Sequence, residues 1–98
     1  MIYRLIFSDD ARKEWNKLGS TIRSQFQKVL ARRIEEPRVP SARLRGAGDL
    51  YKIKFRDAGY RLVYEVRDQQ LIVYVVAIGR RDGDEIYDEL RRRLRRDD

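Results

Sequence analysis

The chain has 98 residues, of which 42% are hydrophobic, so it is long enough for one compact domain and too short for two of ordinary size. We therefore expect residues 1–98 to form a single domain. Cysteine and histidine are both absent, which excludes disulfides, thiolate zinc sites and cysteine nucleophiles and removes most metal ligands. We expect no cofactor and no metal, and any acid–base chemistry must use Lys, Arg, Tyr, Asp or Glu.

The charge balance favours polyanionic partners. There are 23 Lys and Arg against 16 Asp and Glu, a formal net charge of +7, which suits nucleic acid or an acidic protein. No apolar run is long enough to cross a bilayer, and the first residues lack the pattern of a signal peptide. We expect a cytoplasmic protein that does not associate with membranes.

The first third of the chain predicts a strand and two helices. Residues 2–7 are apolar or aromatic apart from Arg4, which is typical of a strand. Ser8 offers a helix start and Gly19 an end, and Ser20 with Thr21 can cap a second helix that ends before Pro37. The apolar residues at helical spacing are Ala11, Trp15 and Leu18, then Ile22, Phe26, Val29, Leu30 and Ile34.

The middle of the chain predicts a loop and three strands. Residues 35–49 carry two prolines and two glycines and read as a loop with basic side chains. Residues 50–55 and 60–66 alternate and are joined by a short turn, which predicts an antiparallel hairpin. Residues 71–78 are an unbroken apolar run, typical of a central strand covered on both faces.

After this run, residues 79–83 are predicted to leave the sheet as a loop, and Asp84 can cap a last helix with Ile86, Leu90 and Leu94 as its apolar line. The predicted order is β-α-α-β-β-β-α. This is an α+β domain with an antiparallel sheet, two N-terminal helices and a C-terminal helix.

Five residues form the constellation that can carry chemistry: Lys52, Lys54, Arg61, Arg81 and Tyr87. Lys52 and Lys54 share one strand face, and the hairpin can bring Arg61 beside them. Like charges at this spacing repel, so an anion is expected between them. Such a cluster can hold a scissile phosphate, stabilise its developing charge and help a lysine lose its proton.

Three features admit an ordinary structural explanation as well. Lysines along one strand face are often only a solvated surface, and a tyrosine early in a helix often only packs. The Arg-rich stretch of residues 91–96 either complements the helix macrodipole or contacts ribosomal RNA phosphates. The residues alone leave all three pairs of alternatives open.

The chain resembles the RelE toxins of bacterial toxin–antitoxin pairs, and the resemblance runs over nearly its whole length. The segments that carry it are Lys13-Glu14-Trp15, Lys17-Leu18-Gly19-Ser20-Thr21, Arg43-Leu44-Arg45-Gly46, Tyr51-Lys52-Ile53-Lys54, Gly59-Tyr60-Arg61-Leu62-Val63-Tyr64, and Tyr87 after Gly79-Arg80-Arg81. The predicted order of elements is also that of this family's fold.

The resemblance implies an mRNA interferase that acts in the A site of the 70S ribosome, is nearly inert on free RNA and is neutralised by a cognate RelB-like antitoxin. It implies a monomer when free and a hetero-oligomer with antitoxin. Lys52 and Lys54 are assigned to base or phosphate-binding work, Arg61 to transition-state charge, Arg81 to the leaving-group side and Tyr87 to stacking on the substrate.

Three further arginines, Arg43, Arg45 and Arg80, are expected to contact RNA. One departure is the acidic composition just before Tyr87, where Asp82, Asp84 and Glu85 reduce the local positive potential or cap the helix. Two rival functions remain: a ParE-like inhibitor of DNA gyrase, and an RNA- or ribosome-binding module that does not cut. The lysine pair together with Arg61, Arg81 and Tyr87 argues against the first.

Overall fold

The computed structural model describes residues 2–44, 48–55, 59–80 and 89–93. Its elements, in chain order, are β1 (Arg4–Phe7), α1 (Asp9–Lys17), α2 (Ser20–Arg33), β2 (Leu50–Phe55), β3 (Tyr60–Arg67) and β4 (Ile72–Arg80). Residues 89–93 are helical and belong to the predicted C-terminal helix. The α+β class and the predicted order of elements are confirmed.

The four strands form one sheet in the order β1-β4-β3-β2. The pairs β2–β3 and β3–β4 are antiparallel, as predicted for the three later strands. β1 lies beside β4 and runs parallel to it, so the sheet is mixed rather than wholly antiparallel. A parallel neighbour requires a crossover, and α1 and α2 lie within the connection that follows β1.

The helix boundaries follow local capping chemistry at one site and not at the other. Ser8 is the N-cap of α1, as predicted, and its side chain accepts a hydrogen bond from the Ala11 amide at 3.0 Å. The predicted cap of α2 by Ser20 or Thr21 is wrong, because Gly19 occupies the N-cap and contributes no side-chain bond. The helix therefore begins one residue earlier than the capping residues suggested.

β4 extends further than its apolar run. Gly79 and Arg80, which were predicted to start a loop, remain in the strand because β3 continues to pair with them, Arg61 opposite Gly79 and Tyr60 opposite Arg80. The ladder also contains a register shift between Val63 and Tyr64. At this irregularity β4 has one extra residue, and the consecutive residues Val76 and Ala77 lie in the same buried cluster.

The sheet buries a hydrophobic cluster on each face. On the helix face, α1 and α2 cover a large core that contains Trp15, Phe26, Leu30, Tyr51, Ile53, Leu62, Tyr64, Val66, Val73, Val75 and Ile78. On the opposite face, called here the site face, a smaller cluster contains Leu50, Val63, Val76, Ala77 and Leu90. The central position predicted for β4 is thereby confirmed, since its side chains enter both clusters.

Within the described residues, no helix combines the length and apolar character that a membrane span requires.

Candidate functional site

Three of the predicted site residues lie together on the site face: Lys52 and Lys54 of β2 and Arg61 of β3, called here the basic cluster. Lys54 is directly opposite Arg61 in the antiparallel ladder, and Lys52 is opposite Val63, the next position on the same face. Directly opposed residues have Cβ atoms about 4.5–5.5 Å apart. The alternation predicted from the sequence is confirmed, and it concentrates three cations within two rows of the sheet.

The basic cluster adjoins a residue without a side chain. Arg61 is paired on its other side with Gly79 of β4. In the row of residues that starts at Lys54, the position beyond Arg61 therefore carries no side chain. Arg61 is half-buried and its Nε atom is buried, whereas Lys54 is exposed and Lys52 is half-buried. The cluster therefore combines one cation held close to the sheet with two that reach toward solvent.

The other half of the site face is apolar and is covered by the C-terminal helix. Leu90, only 4% exposed, packs against Leu50, Val63 and Val76. Because Val63 is the row neighbour of Lys52, this helical segment lies next to the basic cluster. The site face is thus an open basic area bordered by a packed apolar one.

Arg33 of α2 supports Lys52 from the helix face. Its Nη1 atom donates to the Tyr64 hydroxyl at 2.8 Å and to the backbone oxygen of Lys52 at 3.4 Å. Tyr64 in turn donates to the backbone oxygen of Pro37 at 2.7 Å. Burial raises the pKa of the Tyr64 hydroxyl, and the neighbouring Arg33 guanidinium partly opposes this. The neutral hydroxyl thereby joins α2, β3 and the following loop beneath the site.

Two of the predicted RNA contacts lie away from the basic cluster. Arg80 is opposite Tyr60 and holds its guanidinium 5.7 Å from the centre of that ring, on the helix face. Arg43 forms an isolated bridge with Tyr51, and its Nε atom donates to the Gly48 oxygen at 3.2 Å. Both arginines are exposed, but strand alternation directs them away from Lys52 and Lys54.

The remaining predicted residues, Arg45, Arg81 and Tyr87, lie outside the described residues. Their chain neighbours Arg80 and Glu89 are described, at the end of β4 and in the C-terminal helix. Among the described residues there is no group of three or more His, Cys, Asp or Glu side chains that could hold a metal.

Sequence reasoning missed an ion pair beside the site. Arg93 belongs to the Arg-rich stretch of residues 91–96, but it is only 7% exposed and its guanidinium binds both carboxylate oxygens of Glu14, at 2.9 and 3.0 Å. Burial acts to lower the pKa of Arg93, but the hydrogen bonds and charge of Glu14, with Glu89, raise it overall. Glu14 stands in one of the segments that carry the resemblance, and this was the available signal.

The described arrangement suits phosphate chemistry. Two lysines and an arginine on one rigid antiparallel pair can bind the oxygens of one phosphodiester, and they remain in place as its charge increases. The apolar cluster beside them keeps one border of the site dry. Since the sequence contains no histidine and no cysteine, proton transfer in such a site falls to lysine, tyrosine or a carboxylate.

The chain is similar to known toxins of toxin–antitoxin systems. A family model described as the ParE toxin of type II toxin–antitoxin system, parDE, matches residues 5–85. The chain is 48% identical over 94 residues to the mRNA interferase toxin RelE of Escherichia coli (strain K12), covering 96% of this chain and 99% of that protein.

Solved structures are similar over nearly the same length. A mutant of E. coli toxin RelE in the free state superposes with a TM-score of 0.88 at 47% identity, covering 96% of this chain and 99% of that one. RelE in the intact E. coli RelBE toxin–antitoxin complex superposes with a TM-score of 0.80 at 48% identity, covering 83% of this chain and 99% of that one.

Proposed function

Since the chain belongs to the RelE family, within the wider group of type II toxins that the ParE model describes, we propose that it is an mRNA interferase that cleaves messenger RNA in the ribosomal A site. The observation that carries the proposal is the basic cluster, in which Lys54 faces Arg61 across the β2–β3 ladder with Lys52 one row away. The E. coli relative bears the name mRNA interferase toxin, and this chain is similar to it over almost its full length.

The proposed reaction is an internal transesterification. A lysine of the basic cluster takes the proton of a ribose 2′-hydroxyl, and the 2′-oxygen then forms a bond to the adjacent phosphorus. The bond from phosphorus to the 5′-oxygen breaks, which leaves a 2′,3′-cyclic phosphate. The 5′-oxygen takes up a proton from water, and the lysine returns its proton to solvent. Arg61 stabilises the negative charge that develops on the non-bridging oxygens, because guanidinium remains charged throughout.

Two residues outside the described ranges complete the proposed site. Arg81 follows Arg80, the last residue of β4, and is assigned to neutralise charge on the leaving 5′-oxygen. Tyr87 precedes the C-terminal helical segment and is assigned to stack on a base or orient the attacking ribose. Arg43, Arg45 and Arg80 then serve as contacts to RNA away from the reacting phosphate.

The proposed partners are a RelB-like antitoxin, the 70S ribosome and its messenger RNA. A structure of E. coli RelE with RelB supports the first, since that toxin is 48% identical to this chain. We place the free protein as a cytoplasmic monomer of one toxin domain, residues 1–98, which forms a hetero-oligomer with its antitoxin. The net charge of +7 supports binding to ribosomal RNA, with an affinity that falls as salt rises.

The alternative is a toxin that inhibits DNA gyrase without cutting RNA. The match of residues 5–85 to a family model described as a ParE toxin supports it. Such an inhibitor acts by protein contact and has no need of opposed cations on a sheet face. Cleavage of a message in the presence of ribosomes therefore supports the mRNA interferase. Inhibition of DNA supercoiling by gyrase in the presence of the protein would support the alternative, and unimpaired supercoiling would argue against it.

The test uses purified protein, ribosomes stalled on a defined message and a ribosome-free control, with 5′ ends mapped by primer extension. We expect cuts within the A-site codon only when ribosomes are present. Arg61→Ala should reduce the cleavage rate by about 100-fold or more, the scale seen when one charge-stabilising group is removed.

Arg67→Ala is the matched control. Arg67 lies on the same strand and the same face, but it pairs with Glu65 at 2.6 Å and stacks over Tyr74 at the far end. Its replacement should leave the rate within about 3-fold of the unaltered protein. Equal loss in both variants, or the absence of ribosome-dependent cuts, would overturn the proposal.

A further inference from the structure

Among the described residues, Arg93 is the charged residue that is buried. Its hydrogen bonds and ion pairs compensate for the burial of its charge. Nη1 donates to the backbone oxygen of Val76 at 2.8 Å, and Nε donates to Glu89 at 3.1 Å. Asp10, at the start of α1, lies 3.6 Å from Nε. Together with the two bonds to Glu14, these contacts join α1, β4 and the C-terminal helix at one point.

The Glu14–Arg93 ion pair lies at the edge of β4 just past the end of its pairing with β1. β1 pairs with β4 only from Ile72 to Val75, and none of the described strands covers that edge beyond Val75. There, Glu14 accepts a hydrogen bond from the Ile78 amide at 3.0 Å and Arg93 donates to the Val76 oxygen. The ion pair therefore satisfies backbone groups that a longer β1 would otherwise bind.

The same ion pair secures the helical segment that borders the basic cluster. Leu90 anchors the segment through apolar contacts with Val63 and Val76, and Arg93 anchors it one helical turn later through charge. The face of Val63 is shared with Lys52, its ladder partner. Two neighbouring anchors define both the position and the direction of a short helical segment, whereas Leu90 alone leaves the segment free to pivot.

We propose that Glu14 and Arg93 are positioning residues for RNA cleavage, which hold the helical segment of residues 89–93 against the sheet where it borders the basic cluster. Tyr87, which the proposed function assigns to the substrate, is three residues before Leu90 in the sequence, and three residues of chain span at most about 11 Å. The inference rests on the proposed function, since it gives the held segment a purpose in that reaction.

The decisive comparison is between Arg93→Met and Arg92→Met. Both remove one charge and keep an unbranched side chain, but the Arg92 side chain is 71% exposed and that of Arg93 only 9%. Arg92 is ion-paired to Glu89 at the surface, so its replacement leaves the Glu14 contact intact. The readouts are the maximal single-turnover cleavage rate on programmed ribosomes and the ribosome concentration that gives half of that rate.

We expect Arg93→Met to lower the maximal rate by about 10-fold or more, because small displacements of an orienting group are costly to catalysis. The half-saturating ribosome concentration should change by about 3-fold or less, as in Arg92→Met, whose maximal rate should stay near that of the unaltered protein. Arg93→Lys keeps the charge without the forked geometry and should fall between the two.

A double substitution distinguishes positioning from an unrelated structural effect. If Arg93 acts through Tyr87, Arg93→Met should change the rate by about 2-fold or less once Tyr87→Ala is present. Rate losses that multiply in the double variant would overturn the proposal, as would equal behaviour of Arg93→Met and Arg92→Met. Should Arg93→Met fail to fold, Glu14→Gln makes the same comparison, because it keeps an acceptor oxygen for the Ile78 amide.

Hydrogen exchange separates this proposal from the proposed function. The amides of residues 90–93 should exchange faster in Arg93→Met than in Arg92→Met, with the amides of α2 unchanged in both. If the unaltered protein cuts no message on ribosomes, the proposed function fails, and the exchange rates still decide whether the ion pair holds the segment. Unchanged exchange in Arg93→Met would refute that hold directly.

Discussion

Tyr64→Phe isolates the contribution of one buried hydroxyl beneath the site. The substitution keeps the ring, its stacking on Tyr51 at 5.7 Å and the position of the Arg33 guanidinium 5.8 Å from the ring centre. It removes the bond to the Pro37 oxygen, at 2.7 Å, and the bond from Arg33, at 2.8 Å. Any loss of stability therefore reports on these two hydrogen bonds.

The expected magnitude follows from what is left behind. Tyr64 has no exposed surface, so water cannot easily replace its hydroxyl, and a buried group left without its partner costs about 1–3 kcal/mol. The Arg33 bond involves a charged donor, but the same Nη1 keeps its contact to the Lys52 oxygen at 3.4 Å. We expect a total loss of about 2–3 kcal/mol from the free energy of unfolding, or about 10–20 °C in Tm.

The assay is equilibrium unfolding in urea together with a thermal melt, and Tyr3→Phe is the matched control. The Tyr3 hydroxyl donates to Asp68 at 2.7 Å, but this bond is exposed, so water can replace it and the expected loss is below about 0.5 kcal/mol. If Tyr64→Phe lost no more stability than Tyr3→Phe, the hydroxyl would not join α2, β3 and the loop as described, and the reasoning would be refuted.

Two further substitutions test the loops that hold the sheet. The pKa of Asp68 lies below its ordinary value of 3.8 because Tyr3 and then Arg38 bind its carboxylate, so its stabilising effect should be present above about pH 4 and disappear as the pH falls through the lowered pKa. Asp68→Asn should therefore lower the urea midpoint near neutral pH, and its difference from the unaltered protein should shrink as the pH falls through the lowered pKa of Asp68. A difference that acid leaves unchanged would contradict this. Gly59→Ala should lower the free energy of unfolding by about 1–2 kcal/mol, because Gly59 has a φ of +69° with no atom within 4 Å of the added methyl, so only backbone strain acts. A urea titration measures this, and an unchanged midpoint would show that the turn relaxes.

Much of the fold was predictable because its signals are local. Alternation along β2 and β3 correctly placed Lys52 and Lys54 on one face and Arg61 beside them, since side-chain direction in a strand depends only on position. The helix start at Ser8 was predictable for the same reason, because a cap needs only its own next turn. The last residues of β4 were not, since Gly79 and Arg80 stay in the strand by pairing with β3.

The candidate site, too, was predictable only where its signals are local. Arg43 and Arg80 carry charges that suit RNA, but the sequence does not specify their faces, and pairing with Tyr51 and Tyr60 directs them away from the basic cluster. Arg92 and Arg93 are residues of the same type and are adjacent in the chain, but Arg92 is exposed and Arg93 is buried. Which of the two is buried depends on where Glu14 lies after α1 has packed on β4.

The sequence by itself determined the class of fold, the faces of β2 and β3, the basic character and the family, because periodicity, charge and motif spacing are carried along the chain. Only the tertiary structure decided that β1 lies parallel to β4 and that β1 pairs with it no further than Val75. It also decided that Glu14 and Arg93 meet there, although 79 positions separate them. Contacts of that range depend on how whole elements pack, and no local pattern specifies them.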